Sequence, residues 1–211
     1  MYLEIADLTK TLKGRVVLDH VNASFERGMV YGIVGPNGSG KTMLLRAICG
    51  FIRPDSGSVC IDGKEVEFNS KLPENIGVII ENPGFILQKT TIDNLKYLAE
   101  INDSFDREET DRLLKLFDLA EYVNSKVGTF SLGMRQKLAI VQALMEHQRL
   151  ILLDEPTNGL DEDSVQVFLE EMRYQRNLGN TVVIASHHSD ELMQIADHIY
   201  AMSNGALTVA R

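Results

Sequence analysis

The stretch Gly35-Pro-Asn-Gly-Ser-Gly-Lys-Thr42 decides how this chain of 211 residues is interpreted. It fits the phosphate-binding pattern G-x-x-x-x-G-K-[ST], in which glycines let the backbone curl until several N–H groups face one point. The apolar run Met29–Val34 predicts a buried strand before the loop, and a helix is predicted from about Gly40 to Cys49. A strand, a glycine-rich loop and a helix N-terminus in this order predict a site for the phosphates of a nucleotide.

Charged and hydroxyl side chains at two points of the chain are candidates for phosphoryl chemistry. Lys41 is expected to meet the β- and γ-phosphates, and the Thr42 hydroxyl is a candidate Mg²⁺ ligand. Asp154 follows the apolar run Leu150–Leu153, where its carboxylate can hold Mg²⁺ directly or through water. Glu155 is the candidate base for an attacking water. A purely structural acid pair is less favourable, because carboxylates beside an apolar strand cost free energy unless a cation neutralises them.

The bulk composition argues against several classes of protein. The chain has 21 Lys and Arg against 30 Asp and Glu, a net charge of −9, whereas non-specific nucleic-acid binding needs a basic surface. Cys49 and Cys60 form no C-x-x-C pair and no cluster with His, so two reduced, mostly buried thiols are expected. No signal peptide is evident after Met1, and no run of 18 apolar residues predicts a membrane span.

Alternating apolar strands and helices predict an α/β fold with a mainly parallel sheet and helices on both faces. Strands at Tyr2–Leu8 and Val16–Phe25 add an antiparallel part at the N-terminus. A hairpin is predicted where Asp62-Gly63 separates Ser58–Ile61 from Val66–Phe68. From about residue 83 the apolar residues follow helical spacing, which predicts a small helical lobe inserted into the sheet domain.

Two further segments carry a resemblance to a known family. Phe130-Ser-Leu-Gly-Met-Arg-Gln136 precedes Leu150-Ile-Leu-Leu-Asp-Glu-Pro156. In this order and spacing, the glycine-rich loop and these two segments resemble the ATP-binding cassette (ABC) subunit of transporters, and the resemblance covers the whole chain. The family's signature is usually Leu-Ser-Gly-Gly-Gln, so Phe130 stands at the usual Leu and Met134 at the usual second Gly.

The resemblance implies one ABC domain over residues 1–211, with a P-loop NTPase core and an inserted helical subdomain. Residues 1–82 and 136–211 would form the core with its antiparallel part. Residues 83–135 would form the helical subdomain and present the surface that holds the membrane subunits.

The resemblance also implies roles for individual residues. In the family, the signature contacts the γ-phosphate of ATP bound to the opposite subunit, the D-loop crosses the interface, and a switch histidine senses the γ-phosphate. The signature residues here are Ser131, Leu132, Gly133, Met134 and Gln136. The D-loop residue is Asp161. The catalytic residues are Lys41, Glu155 and His187, with His188 as the alternative to His187.

The nucleotide-binding residues and the metal ligands complete the predicted site. Those expected to bind the nucleotide are Gly35, Pro36, Asn37, Gly38, Ser39, Gly40, Lys41, Thr42, Met43, Leu12 and Val17. The family usually has an aromatic residue that stacks on adenine at the position of Leu12. Leu12 and Val17 can pack against the base without aromatic stacking, so GTP is a candidate ligand beside ATP.

The expected metal ligands are Thr42, Glu81 and Asp154. Glu81 departs from the family pattern, which usually has a Gln in this loop that touches Mg²⁺ and couples to the membrane partner. A carboxylate can ligate Mg²⁺ but donates no hydrogen bond unless protonated. The stretch Ile80–Phe85 resembles cassettes of bacterial bacitracin- and lantibiotic-type peptide export and immunity systems, where Glu is frequent at this position.

The resemblance implies the ATP-hydrolysing subunit of a bacterial ABC transporter at the cytoplasmic face of the plasma membrane, with ATP and Mg²⁺ as cofactors. The expected partners are a membrane-spanning permease and a second cassette, in a homodimer or a heterodimer, and no nucleic acid. The expected cargo is an exported antimicrobial peptide or drug-like compound. One alternative is a soluble ABC ATPase, for example in metal-cluster assembly. A second, a module that binds ATP without turnover, conflicts with the intact catalytic residues.

Overall fold

Ten strands and six α-helices form the part of the chain that the computed structural model describes, residues 1–69, 72–81, 84–100 and 105–210. The strands are β1 (Leu3–Leu12), β2 (Arg15–Phe25), β3 (Val30–Val34), β4 (Ser56–Ile61), β5 (Lys64–Glu65), β6 (Ile76–Ile79), β7 (Leu150–Asp154), β8 (Thr181–Ser186), β9 (His198–Ser203) and β10 (Ala206–Val209). The helices are α1 (Lys41–Ile48), α2 (Thr91–Ala99), α3 (Arg107–Leu116), α4 (Leu132–Leu144), α5 (Glu162–Asn177) and α6 (Ser189–Ile195).

The larger sheet has the strand order β10-β9-β3-β8-β7-β6, and its strands are parallel except for β10 at one edge. Every residue of β7 and β8 is buried, as expected for parallel strands that are covered on both faces. Because the carboxyl ends of parallel strands share one edge, the segments after β3, β6, β7 and β8 lie along the same edge. This edge gathers the glycine-rich loop, Glu81, Glu155 and His187.

The smaller sheet is antiparallel, with the order β2-β1-β4-β5. Its first hairpin pairs Thr11 with Val16 and Lys10 with Leu18, so Val17 is an extra residue in β2 and forms a bulge. The predicted division into a mainly parallel sheet and an antiparallel N-terminal part is confirmed, although β1 extends four residues beyond the predicted end at Leu8.

The hairpin at Asp62-Gly63 forms, but its second strand is Lys64–Glu65 rather than the predicted Val66–Phe68. The Val66 N–H still donates to the Val59 carbonyl, and then the chain leaves the sheet. It turns towards the end of α1, where the Asn69 N–H donates to the Gly50 carbonyl at 2.8 Å. This contact with a helix end ends the strand early, and the alternating pattern does not show it.

Helix α4 crosses the predicted boundary between residues 135 and 136 without a break. It begins in the predicted helical subdomain and packs against β6, where a Cβ on Gly77 would overlap the Ala143 carbonyl oxygen. The division into core and lobe therefore runs through a helix here and stays a prediction. The other predicted boundary, between residues 82 and 83, lies outside the described residues. Within the described part of the chain, no helix combines the length and the hydropathy that a membrane span requires.

A partly buried ion pair joins α3 to α5. The Arg112 guanidinium donates to both carboxylate oxygens of Glu171, at 3.0 and 2.7 Å, and Glu171 is only 4% exposed. The Gln175 amide donates to the same carboxylate at 2.7 Å. Hydrogen bonds from Arg112 to Glu109 and then to Glu171 raise the pKa of the guanidinium, which stays charged. A buried carboxylate of this kind depends on its cation.

We expect Arg112→Ala to lower the free energy of unfolding by about 3 kcal/mol, because it leaves the Glu171 charge buried without its counter-charge. Urea denaturation measures this change. The matched control is Arg107→Ala, which removes an exposed pair with Asp111 and should cost about 0.5 kcal/mol or less. Equal losses in the two variants would contradict a structural role for the Arg112–Glu171 pair.

Candidate functional site

The glycine-rich loop connects β3 to α1 and leaves the helix N-terminus open. Gly40 precedes the first turn with φ 118°, a value in the region that favours glycine, and no side chain caps the helix there. The N–H groups of the first turn of a helix have no partners inside the helix. Together with the positive end of the helix dipole, they form a binding site for phosphate oxygens.

Two glycines of the loop are required by close packing against neighbouring backbone. A Cβ on Gly35 would overlap the Met202 carbonyl oxygen of β9. A Cβ on Gly40 would lie 2.6 Å from the Val17 carbonyl oxygen at the bulge of β2. Strands from both sheets therefore hold the loop in place, and only glycine fits at these two positions.

Lys41 is buried at the loop and directs its ammonium group back over it. Its Nζ donates to the carbonyl oxygens of Gly35 at 2.6 Å and Pro36 at 3.3 Å, and lies 3.6 Å from a carboxylate oxygen of Glu155. The side chain is only 6% exposed. A mobile cation held in this place supplies positive charge beside the N–H groups of the loop.

Thr42 and Asp154 meet across the gap between α1 and β7. The Thr42 hydroxyl donates to Asp154 Oδ2 at 2.6 Å. The other oxygen, Oδ1, is buried and has no hydrogen-bond partner among the described residues. Burial raises the pKa of Asp154, and the Thr42 hydrogen bond opposes this shift. A buried carboxylate oxygen without a hydrogen-bond partner, next to a hydroxyl oxygen, gives two oxygen ligands that suit a hard divalent cation.

Further ligands for such a cation would come from outside this pair. The described residues include no group of three or more His, Cys, Asp or Glu side chains arranged to hold a metal ion. A site with few protein ligands matches the preference of Mg²⁺, which keeps several waters and binds phosphate oxygens.

Glu155 and His187 form a direct contact at the ends of β7 and β8. The Glu155 carboxylate accepts hydrogen bonds from the His187 backbone N–H at 3.1 Å and from the Ser186 hydroxyl at 3.3 Å. His187 Nδ1 lies 2.8 Å from the same carboxylate. The ring centroids of His188 and His187 lie 3.9 Å apart, and the backbone N–H of His188 donates to the Ser186 hydroxyl. The structure therefore brings His187, and not His188, to the acid, while the role of His187 as the switch histidine stays a prediction.

Glu81 is close enough to Asp154 for its charge to raise the Asp154 pKa, but it forms an ion pair with another residue. Its carboxylate pairs with the Arg46 guanidinium of α1 at 2.8 Å and its side chain is 60% exposed. Neither Thr42 nor Asp154 forms a hydrogen bond with it. The neighbouring residues 82 and 83, which belong to the stretch that resembles peptide exporters, lie outside the described residues.

A cavity of about 300 Å³ lies over the loop. Its lining residues are Arg15, Val17, Asn37, Gly38, Gly40, Lys41, Thr42, Met43, Asp154 and Glu155. Gly35, Pro36 and Ser39 belong to the loop but not to the lining. Leu12 is also outside it, at the exposed end of the first hairpin. Arg15 was missed in the sequence, although a residue two positions from Val17 on one strand was a usable signal.

The predicted signature residues lie outside this cavity. Ser131 caps α4, and its hydroxyl accepts a hydrogen bond from the Met134 N–H at 3.2 Å. Leu132 is 66% exposed, and the Gln136 amide donates to the Pro156 carbonyl at 2.8 Å. A Cβ on Gly133 would lie 2.8 Å from the carbonyl oxygen of residue 159. The structure therefore does not bring the signature residues to the phosphate loop of the same chain.

Asp161 is the N-cap of α5 and lies in the turn after β7. Its carboxylate accepts a hydrogen bond from the Ser164 N–H at 2.8 Å, and hydrogen bonds from Ser164 lower its pKa. The structure thus assigns a capping role to Asp161. The expected role at a subunit interface stays a prediction.

A parallel sheet with a phosphate-binding loop between a buried strand and a helix defines a P-loop nucleotide-binding protein. A family profile described as "ABC transporter" matches residues 18–158. The chain belongs to the ABC transporter family. Within an ABC transporter it is the ATP-binding subunit, an ATPase coupled to transport. The predicted family, fold class and enzyme class are confirmed.

Similar proteins support this assignment over most of the chain. The uncharacterized ABC transporter ATP-binding protein YybJ of Bacillus subtilis is 39% identical, over 97% of this chain and 94% of that protein. The bacitracin transport ATP-binding protein BcrA of Bacillus licheniformis is 36% identical, over 97% of this chain and 68% of that protein. The lantibiotic transport ATP-binding protein SrtF of Streptococcus pyogenes is 32% identical, over 99% of this chain and 90% of that protein.

Solved structures share the whole fold. A nucleotide-free ATP-binding cassette from an ABC transporter superposes with a TM-score of 0.85 at 26% identity, over 100% of this chain and 91% of that one. The protein cbiO1 from Clostridium perfringens, part of the ABC transporter complex cbiONQ, has a TM-score of 0.82 at 26% identity, over 98% and 87%. The family binds nucleotide.

We expect Gly40→Ala to weaken ADP binding at least about tenfold, because the new methyl group displaces the loop from the Val17 carbonyl. Isothermal titration calorimetry measures the affinity. Gly63→Ala is the matched control, since Gly63 also has a positive φ, of 75°, but a Cβ there meets no atom within 4 Å. An equal affinity in both variants would show that the close packing of the loop does not matter for binding.

Proposed function

We propose that Glu155 is the general base of ATP hydrolysis, with Lys41 and His187 as the residues that position and stabilise the reacting phosphate. One observation carries the proposal. The Glu155 carboxylate lies 3.6 Å from Lys41 Nζ and 2.8 Å from His187 Nδ1, at the edge of the cavity over the phosphate loop. A base there can take a proton from a water that attacks the γ-phosphate.

His187 acts on the reaction through two groups in this proposal. Its N–H and ring hold the Glu155 carboxylate from one side, and the ring is 38% exposed towards the solvent. The imidazole is therefore able to meet a phosphate oxygen while the backbone N–H keeps the base in place. The His188 ring lies tilted against the His187 ring, and among the described residues His188 forms no hydrogen bond with Glu155.

Mg²⁺ would be held by Thr42 and Asp154. The support is the buried, unpartnered Oδ1 of Asp154 next to the Thr42 hydroxyl. When bound, the ion neutralises charge on the phosphates and raises their reactivity. Glu81 is the third proposed ligand. To serve, its carboxylate has to exchange Arg46 for the ion, directly or through water.

A complete site would require a second cassette, either another copy of this chain or a homologue. The signature residues Ser131 and Gly133 lie outside the cavity over their own phosphate loop, and Leu132 beside them is exposed. The N-terminus of α4 and the hydroxyl of Ser131, its N-cap, suit a phosphate of the partner's nucleotide. All the motifs occur in one chain, so a symmetric homodimer is chemically sufficient.

The cargo is proposed from the names of relatives. Two of them are named as bacitracin and lantibiotic transport proteins, and they match this chain over 97% and 99% of its length. We infer that the chain drives export of an antimicrobial peptide through a separate membrane-spanning permease. It would be bound peripherally at the cytoplasmic face of a bacterial plasma membrane, with the predicted helical subdomain, residues 83–135, against the permease.

We expect Glu155→Gln to bind ATP with the affinity of the wild type and to hydrolyse it at least about a hundredfold more slowly, because the amide cannot accept the proton. Phosphate release from the pure protein measures turnover. Glu170→Gln, an exposed acid on α5, is the control and should keep full activity. Wild-type turnover in Glu155→Gln would contradict the assignment of the base.

We expect a polytopic membrane protein to co-purify in stoichiometric amount with the tagged chain when membranes of its own organism are solubilised in mild detergent. Glu155→Gln with ATP and Mg²⁺ is expected to increase the yield, since the closed dimer persists without hydrolysis. The tag alone is the control. Recovery with soluble partners only would contradict the permease and favour an ATPase of the metal-cluster-assembly kind.

A further inference from the structure

The end of the first hairpin is fixed beside the phosphate loop. The bulge at Val17 packs its carbonyl against Gly40, where a Cβ would lie 2.6 Å away. The turn between β9 and β10 approaches the same bulge, since a Cβ on Gly205 would lie 3.1 Å from the Val17 carbonyl. The Gly205 N–H in turn donates to the Ser39 carbonyl of the loop at 2.8 Å. The bulge, the turn and the loop therefore form one packed unit.

Arg15 projects from this unit into the nucleotide cavity. It is the first residue of β2 and faces Leu12 across the hairpin. Arg15 lines the cavity with Val17, whereas Leu12 does not. No carboxylate of the described residues pairs with its guanidinium, and the residue is exposed. A planar cation without a counter-charge is therefore available at the cavity wall.

The lining residues fall into two chemical groups. The loop, Lys41, Thr42 and the two acids provide N–H groups, a cation and metal ligands, which are the groups that phosphates and a divalent cation require. The remaining lining side chains outside the loop are Arg15, Val17 and Met43. These three residues are therefore the lining side chains that would contact the sugar and the base of a nucleotide.

The second group has no aromatic ring and no side-chain amide among the described lining residues. Hydrogen bonds to a base edge can come from amide, hydroxyl, guanidinium or backbone groups, and they favour one purine over the other. Recognition by stacking needs a flat surface, and a guanidinium provides one that also attracts the π face of a purine. Arg15 is the one flat side chain in this group.

We propose that Arg15 stacks its guanidinium plane on the purine base of the bound nucleotide, with Val17 beside it. This inference rests on the proposed function of the cavity as the ATP site, and it names the residue that binds the base. Stacking of this kind does not read the base edge, so the site takes adenine and guanine nucleotides with similar affinity.

The main rival is that Arg15 binds a phosphate instead of the base. The two roles differ in what they need from the side chain. A phosphate needs positive charge, which a lysine also supplies, whereas stacking needs the planar group. They also differ in the ligand, because pyrophosphate has the phosphates of ADP without the base.

We expect Arg15→Ala to weaken both ADP and GDP about five- to thirtyfold and to leave pyrophosphate within about twofold, as measured by titration calorimetry in the presence of Mg²⁺. Arg15→Lys should bind as poorly as Arg15→Ala. The matched control is Lys13→Asn, which removes a cation from the adjacent turn and introduces a residue that tolerates its φ of 48°. It should bind all three ligands like the wild type.

Arg15→Trp provides a second, direct readout. The chain has no tryptophan, so this variant contains a single indole. We expect ADP to quench its fluorescence while pyrophosphate does not, and ADP affinity to return to within about threefold of the wild type.

Three outcomes would overturn the inference: unchanged ADP affinity in Arg15→Ala, an equal loss for pyrophosphate, or rescue by Arg15→Lys. Failure of the base role is distinguishable from failure of the proposed function. In the first case the wild type binds ADP and pyrophosphate, and only the response to Arg15 variants is wrong. A wild type that binds neither ligand would overturn the nucleotide site itself.

Discussion

The close approach of the phosphate loop to the backbone of two other strands is the constraint on which the rest of the structure depends. The carbonyl of Met202 in β9 and that of Val17 in β2 occupy the space where side chains would begin at Gly35 and Gly40. Strands from the parallel sheet and from the antiparallel sheet thus meet at one loop. The loop has little room to relax, and its N–H groups are held in a fixed arrangement before any ligand arrives.

The charged groups around the loop balance one another over short distances. Lys41 lies among backbone carbonyls and near Glu155, and Asp154 accepts a hydrogen bond from the Thr42 hydroxyl. Burial raises the pKa of Asp154, so its charge is unfavourable unless a cation approaches. The same burial that disfavours the bare carboxylate strengthens its attraction for a metal ion and for a phosphate-bound cation. Local instability of this kind is typical of sites that bind ions.

Local signals predicted the parts of the site that are continuous in sequence. The loop, the apolar strand before Asp154 and the hairpin turn at Asp62-Gly63 each follow from residue types at fixed spacing, and each lies where expected. The family followed from the glycine-rich loop together with the segments at residues 130–136 and 150–156, and the fold class followed from the alternation of apolar strands and helices.

The features that the sequence did not predict depend on contacts between distant segments of the chain. The Arg46–Glu81 pair joins α1 to the segment after β6, so no spacing rule predicts that Glu81 has a cation as its partner. Arg15 and Val17 lie two residues apart on β2, but the contacts of Val17 with Gly40 and Gly205, which place this strand beside the phosphate loop, are not visible in the sequence. Helix α4 crosses the predicted boundary because its packing partner is Gly77 of β6, far away in the chain.

The contact between Gly77 and α4 holds one end of this helix, and the signature lies at the other end. The point where Gly77 meets Ala143 lies near one end of the helix, and Ser131 caps the other end. At a rise of 1.5 Å per residue, Ser131 lies about 18 Å along the helix from Ala143. A tilt of about ten degrees there moves Ser131 by about 3 Å, roughly the length of a hydrogen bond. A change in the direction of α4 therefore displaces the signature more than it displaces the end that packs against β6.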